Sequence, residues 1–204
     1  MELFRITTAT NSLLERLFPL YEAAFPEAER RTRQQLTRMI AQTGAMNFNA
    51  ILMSPEELAA DSGEPVCTEA EELFQGQKVC GLFSFWNLGD FLYLEHLATF
   101  PELRNRRIGG KVLSYMEQHY PTLQLLEVEP PTDELTRRRV AYYERNGFCV
   151  LNRSYVQPPY SQFAADKQGL PLWIMGRGTA GNTEEKIETI RQKVYFEPYA
   201  LENE

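Results

Sequence analysis

The sequence predicts an α/β fold in which one mixed sheet carries helices on both faces. Three observations predict it. Strand-like apolar segments alternate along the chain with segments of helical period. Residues 79–86 and 91–100 are apolar on both faces, as strands in the middle of a sheet must be. No Pro/Gly/Ser-rich linker divides the 204 residues, so a single domain over 1–204 is expected.

Residues 3–6 read as a first strand. Asn11 or Ser12 caps a helix whose apolar residues are Leu13, Leu14, Leu17, Phe18, Tyr21 and Phe25. Pro19 inside that pattern predicts a kink or a second helix start, and Pro26 ends it. Leu36, Met39 and Ile40 mark a helix over 32–43, stopped by Gly44, and a strand over 48–53 follows. Residues 54–78 are acidic and poor in apolar side chains, which reads as a surface insertion between two strands. The insertion opens with a helix start, Ser54-Pro55-Glu56-Glu57, in which Ser54 caps and Glu57 closes a capping box. Strands over 79–86 and 91–100 are joined by the turn Asn87-Leu88-Gly89-Asp90. Next come a helix over 109–119, a strand over 123–129, a helix over 133–146 and strands over 148–155 and 170–175. An extra helix over 183–195, with Asn182 and Glu185 as a capping box, carries Ile187, Ile190 and Val194 on one face. That face covers the sheet or builds a homodimer.

Composition excludes several function classes. The net charge of -7 argues against a nucleic-acid partner, because binding a phosphate backbone needs excess Lys and Arg. No apolar run approaches the ~20 residues that span a bilayer, and the N-terminus has no signal-peptide pattern, so a cytoplasmic protein without a membrane partner is expected. The three cysteines, Cys67, Cys80 and Cys149, are far apart, which predicts neither a disulfide framework nor a metal site.

The chemistry concentrates in residues 93–110. An apolar strand ends at Phe100, a turn holding Arg104, Arg106 and Arg107 follows, and a helix begins at Gly109-Gly110. The first turn of a helix offers unpaired N–H groups and the positive end of its dipole, and small residues let a phosphate approach the backbone. This reads as an anion site, against the plainer reading of a solvated basic loop. It lacks the Gly-Lys-Ser/Thr of a P-loop and the spacing of a dinucleotide turn.

This segment resembles motif A of the GNAT N-acetyltransferase superfamily, Arg/Gln-x-x-Gly-x-Gly/Ala, matching at Arg104 and Gly109 and departing at Arg107, where the family has its first glycine. Residues 141–148, Ala-Tyr-Tyr-Glu-Arg-Asn-Gly-Phe, resemble the second half of motif B, and the two motifs stand in the family's order. The family's frequent asparagine after the intervening strand is replaced by Pro130-Pro131-Thr132. The resemblance implies a mostly antiparallel sheet and transfer of an acetyl group from acetyl-CoA, without a metal, to a primary amine on a small molecule or a protein. It implies that Leu97 and Thr99 offer backbone groups to the pantetheine arm. Backbone amides from Arg104 through Asn105, Arg106, Arg107 and Ile108 to Gly109, with Gly110 and Lys111, would hold the pyrophosphate.

Acetyl transfer needs a neutral amine, although a lysine-like amine has a pKa near ~10.4. It also needs a donor for the developing oxyanion and a proton for the leaving thiolate. Tyr143, at the motif B position, is the expected acid; Tyr142 is expected in the core. Glu95 is the first candidate base, since a carboxylate on an apolar strand requires a reason. Strand alternation sends its neighbour His96 to the opposite face, so only one of the two can face the acceptor. Glu127 and Glu129, on the next strand, and Glu27 and Glu29, in the segment 25–31, are candidates for binding a cationic acceptor. A non-catalytic acyl-CoA sensor or partner-binding module on the same fold is the alternative, and an acetylator of charged tRNA is disfavoured by the acidic balance.

Overall fold

A computed structural model describes residues 1–62, 73–160, 169–179 and 181–200. In chain order the elements are β1 (Glu2–Ile6), α1 (Ser12–Ala24), α2 (Arg33–Gln42), β2 (Met46–Met53), α3 (Pro55–Ser62), β3 (Leu73–Phe74), β4 (Gln77–Asn87) and β5 (Phe91–Thr99). Then follow α4 (Ile108–His119), β6 (Leu123–Val128), α5 (Glu134–Arg145), β7 (Cys149–Gln157), β8 (Leu170–Arg177), α6 (Thr183–Ile190), a π-helical segment over Arg191–Phe196 and α7 (Glu197–Ala200). The strands form one sheet in the order β1-β2-β4-β5-β6-β8-β7, with β3 folded onto β4. Every pairing is antiparallel except β5 with β6.

Helices cover both faces, as expected. On one face lie Leu13, Leu17 and Tyr21 of α1, Leu36 and Met39 of α2, and Ile187, Ile190, Val194 and Tyr195 of the C-terminal helices. The other face is closed by Leu58 of α3, Val112 and Met116 of α4 and Val140 of α5. Each such side chain contributes about 1.5–3 kcal/mol by leaving water, so these faces fix the layers. The apolar face of the last helix therefore covers its own sheet. Among the described residues no helix is long and apolar enough to cross a membrane.

Local signals set most element ends. Asn11 accepts from the Leu13 amide at 2.9 Å, and Thr32 with Gln35 and Ser54 with Glu57 form reciprocal caps. Asn182 caps α6 through the Glu185 amide, with no return bond from Glu185. Pro19 does not divide its helix. α1 runs unbroken through it, because Leu17, Phe18, Leu20 and Tyr21 are all buried and tertiary packing outweighs the single lost hydrogen bond.

Two irregularities at the centre of the sheet make the site. The β4–β5 register jumps between Ser84 and Phe85, which pair with His96 and Leu94, so Glu95 is an extra residue in β5. Such a β-bulge bends the strand and resets its alternation. The parallel β5–β6 pairing then stops at Leu94↔Leu126, and the two strands part beyond it.

Candidate active site

The gap between β5 and β6 opens into a cleft of about 480 Å³. Its walls are Glu95 to Thr99 of β5, Glu127 to Glu129 on and just after β6, Tyr143 of α5, Ala23 to Pro26 at the end of α1, and Tyr160 and Leu172. The edge of β5 beyond Leu94 has no strand partner here. The Phe100 amide donates to the Cys80 carbonyl at 3.1 Å, toward β4. Alternation therefore turns the backbone groups of Leu97 and Thr99 to the opposite edge, into the gap.

At one end of the cleft, β5 hands over to α4. The amides of Arg104 and Lys111 are engaged, donating to Pro101 O at 3.2 Å and to Arg107 O at 3.0 Å. Those of Ile108, Gly109 and Gly110 have no partner among the described residues, and the cap residue Arg107 supplies no side-chain bond. Three bare amides thus stand at a positive helix end beside the exposed Arg104 and Arg107. Ile108 itself is buried in the core. Arg106 turns toward α3, donating to the Leu58 carbonyl at 3.3 Å. A Cβ at Gly109 would stand 2.6 Å from Tyr142 Oη, so a larger residue there would have to displace that hydroxyl. Tyr142 is half-buried beneath this turn and packs against the core.

Arg107, at the family's glycine position, has φ +54°, and Asn105 has φ +65°. Left-handed backbone costs a residue like arginine about 1 kcal/mol. We expect Arg107→Gly to raise the thermal midpoint by about 2–4 °C, measured by scanning fluorimetry. An unchanged or lower midpoint would contradict the strain.

Tyr143 lies on the last turn of α5, which ends in a double cap: Gly147 N–H to Glu144 O at 3.0 Å and Phe148 N–H to Tyr143 O at 3.1 Å, with Gly147 at φ +83°. Its ring packs edge-on against Phe148 and it lines the cleft. Burial raises its pKa, so at neutral pH it holds its proton.

The bulge overturns the expected separation of Glu95 and His96: both side chains lie on the α1 face, where His96 Nδ1 is 3.5 Å from Glu95 Oε2. Glu95 Oε1 accepts from Arg31 and from Tyr160 Oη at 3.2 Å, and Oε2 from Trp86 Nε1 at 3.0 Å and Ser84 Oγ at 3.4 Å. Burial, the largest influence, would raise its pKa, but Arg31 and His96 together outweigh it and hold the carboxyl well below the usual range. His96 is locked as well, with Nε2 2.9 Å from Glu29 O and its ring edge-on to Phe25.

Glu127 is the contrasting carboxylate. Tyr195 Oη donates to its Oε2 at 3.0 Å, while Oε1 is buried without a partner. Burial pushes its pKa up to about 7, with hydrogen bonds from tyrosines restraining the rise. Glu129, half-buried, pairs with Arg139 at the mouth. Glu29 also lines the cleft, its pKa raised by burial, whereas Glu27 is exposed and outside it. Arg31, Tyr160 and Tyr195 belong to no motif and no spacing in the sequence that marks them as site residues. Cys80 is buried, Cys149 is exposed, and Cys67 lies outside the described residues.

The comparison with curated proteins returned no match. Among solved structures, a GNAT-family protein from Bacteroides thetaiotaomicron superposes with a TM-score of 0.78 at 26% identity, covering 96% of this chain and 99% of that one. A chimera built on the spermidine N-acetyltransferase SpeG of Vibrio cholerae gives 0.52 at 12% identity, covering 92% and 99%, a likeness of fold alone. The family model for the acetyltransferase (GNAT) family matches residues 14–148, which hold both the bare-amide turn and Tyr143. The chain therefore belongs to the acetyltransferase (GNAT) family and is an acyl-CoA-dependent acetyltransferase.

Proposed function

We propose that this enzyme transfers the acetyl group of acetyl-CoA to a primary amine by direct attack, with both substrates in the cleft together. The observation that carries the reading is the convergence of several groups on one cleft. An open strand edge, a carboxylate with an unsatisfied oxygen and a protonated tyrosine line one cleft, and bare amides stand where its strand hands over to a helix.

Acetyl-CoA supplies the thioester. The amides of Ile108, Gly109 and Gly110, with Arg104 and Arg107, suit its diphosphate, and the outward backbone groups of Leu97 and Thr99 suit its amide-bearing arm. The amine arrives as an ammonium, and ionised Glu127 takes its proton through Oε1. As the new C–N bond forms and the C–S bond breaks, Tyr143 gives its proton to the departing thiolate and recovers one from the nitrogen, which sheds its second proton on becoming an amide. Glu95 serves this reading less well as the base, because a carboxylate held ionised by Arg31 has little affinity for a proton. Its place is that of an anchor for the bulge. Glu129 is matched by Arg139, so at the mouth it is Glu29 that favours a cationic acceptor.

The test is release of free thiol from acetyl-CoA across a panel of primary amines. Turnover is expected with at least one, and Tyr143→Phe should lower kcat about 10²-fold while the KM for acetyl-CoA changes little. Acetyl-CoA binding without turnover on any amine would overturn the reading.

A further inference from the structure

Residues 191–196 leave α-helical geometry for a π-helical turn, a form frequent at functional sites. The turn lies outside the family match, and it places Tyr195, 1% exposed, beneath the cleft. Four tyrosine hydroxyls and two carboxylates meet there, among them the buried hydroxyl of Tyr155, which also acts on Glu127. Tyr195 Oη is 3.0 Å from Glu127 Oε2, 3.0 Å from Tyr93 Oη and 3.4 Å from Tyr160 Oη; Tyr160 Oη is 3.2 Å from Glu95 Oε1.

Counting protons orders these contacts. Each phenol has one proton to donate. Tyr160 donates to Glu95, which is acceptor-only when ionised. Tyr195 donates to Glu127, so the proton between Tyr93 and Tyr195 belongs to Tyr93. The resulting chain runs Tyr93 to Tyr195 to Glu127 Oε2, and Glu127 Oε1 is left without a partner.

We propose that Tyr195, presented by the C-terminal π-turn and polarised by Tyr93, is a positioning residue that fixes the Glu127 carboxylate with Oε1 toward the acceptor amine. The inference rests on Glu127 being the base. It means that catalytic competence extends beyond the family-matched segment, into a helix the resemblance does not include.

A hydrogen bond to the ionised form stabilises that form. Tyr195→Phe should therefore raise the acidic limb of the pH profile of kcat/KM by about one pH unit. It should also lower kcat several-fold below that limb, with the KM for acetyl-CoA unchanged. Tyr93→Phe should move the limb the same way by less. Carboxyl 13C NMR of the folded variants reads the Glu127 titration directly, and Tyr93→Phe carries the test if Tyr195→Phe does not fold. A limb and titration that superimpose on wild type in both variants would overturn the proposal. Glu127→Gln separates the two readings. If it abolishes the limb while the tyrosine variants leave it in place, only the positioning role fails; if it keeps both limb and rate, the base assignment falls and the positioning role with it.

Discussion

Glu127→Gln is expected to lower kcat about 10²- to 10³-fold with acetyl-CoA affinity nearly intact. The amide keeps the shape of the side chain and an oxygen for Tyr195 but cannot take a proton from the ammonium. The same change should stabilise the fold. Burial raises the Glu127 pKa from the ordinary 4.5 to about 7. The folded state thus binds a proton more tightly than the unfolded state, and stability falls as pH rises from about 4.5 to 7. Glutamine carries no such penalty, so at pH 8 the variant should be more stable by on the order of 2 kcal/mol, a trade of stability for activity. Thiol-release kinetics and denaturant melts at pH 5 and pH 8 check both halves. Wild-type kcat at pH 8 would remove Glu127 from the chemistry.

The layers were legible in the sequence because they follow from local patterns. The period of Leu13, Leu17 and Tyr21 makes a helix, the two-sided apolar run in β4 and β5 makes central strands, and Gly147 ends α5. The bare-amide turn was legible for the same reason, since a helix start after a strand is a local event. The carboxylate roles were not. The alternation rule assigns Glu95 and His96 to opposite faces, and the bulge that cancels the rule depends on how β4 pairs, which is not local. Arg31, in a segment that reads as a charged loop, is 0% exposed because its partner lies 64 residues away. Tyr195 is farther still from the strand whose carboxylate it holds. A hydrogen bond across 68 residues leaves no spacing to read.

Arg31→Met is expected to destabilise the protein by about 3–5 kcal/mol at neutral pH. The side chain is fully buried, donates to Glu95 and, at 3.1 Å, to the Val194 carbonyl, and lies with its guanidinium 4.5 Å from the Tyr160 ring centre. Methionine fills much of the volume, so the loss is that of leaving Glu95 buried and unpaired. The pH dependence identifies the cause. In the wild type Arg31 depresses the Glu95 pKa below 4.5, so the pair's stabilisation is complete above the unfolded value and is lost as pH falls through the folded one. In the variant that counter-charge is gone and burial is opposed only by His96 and the remaining donors, so the pKa rises and the stability lost to the substitution shrinks as pH falls. The gap between wild type and variant should be widest at pH 7–8 and narrow on acidification. Adding Glu95→Gln to Arg31→Met should recover much of the loss, since a neutral amide needs no counter-ion, and a double-mutant cycle from urea melts measures the coupling. Additive losses with no pH dependence would mean that Arg31 acts through packing and its bond to Val194, and that Glu95 owes its place in the bulge to its other donors, Trp86, Ser84 and Tyr160.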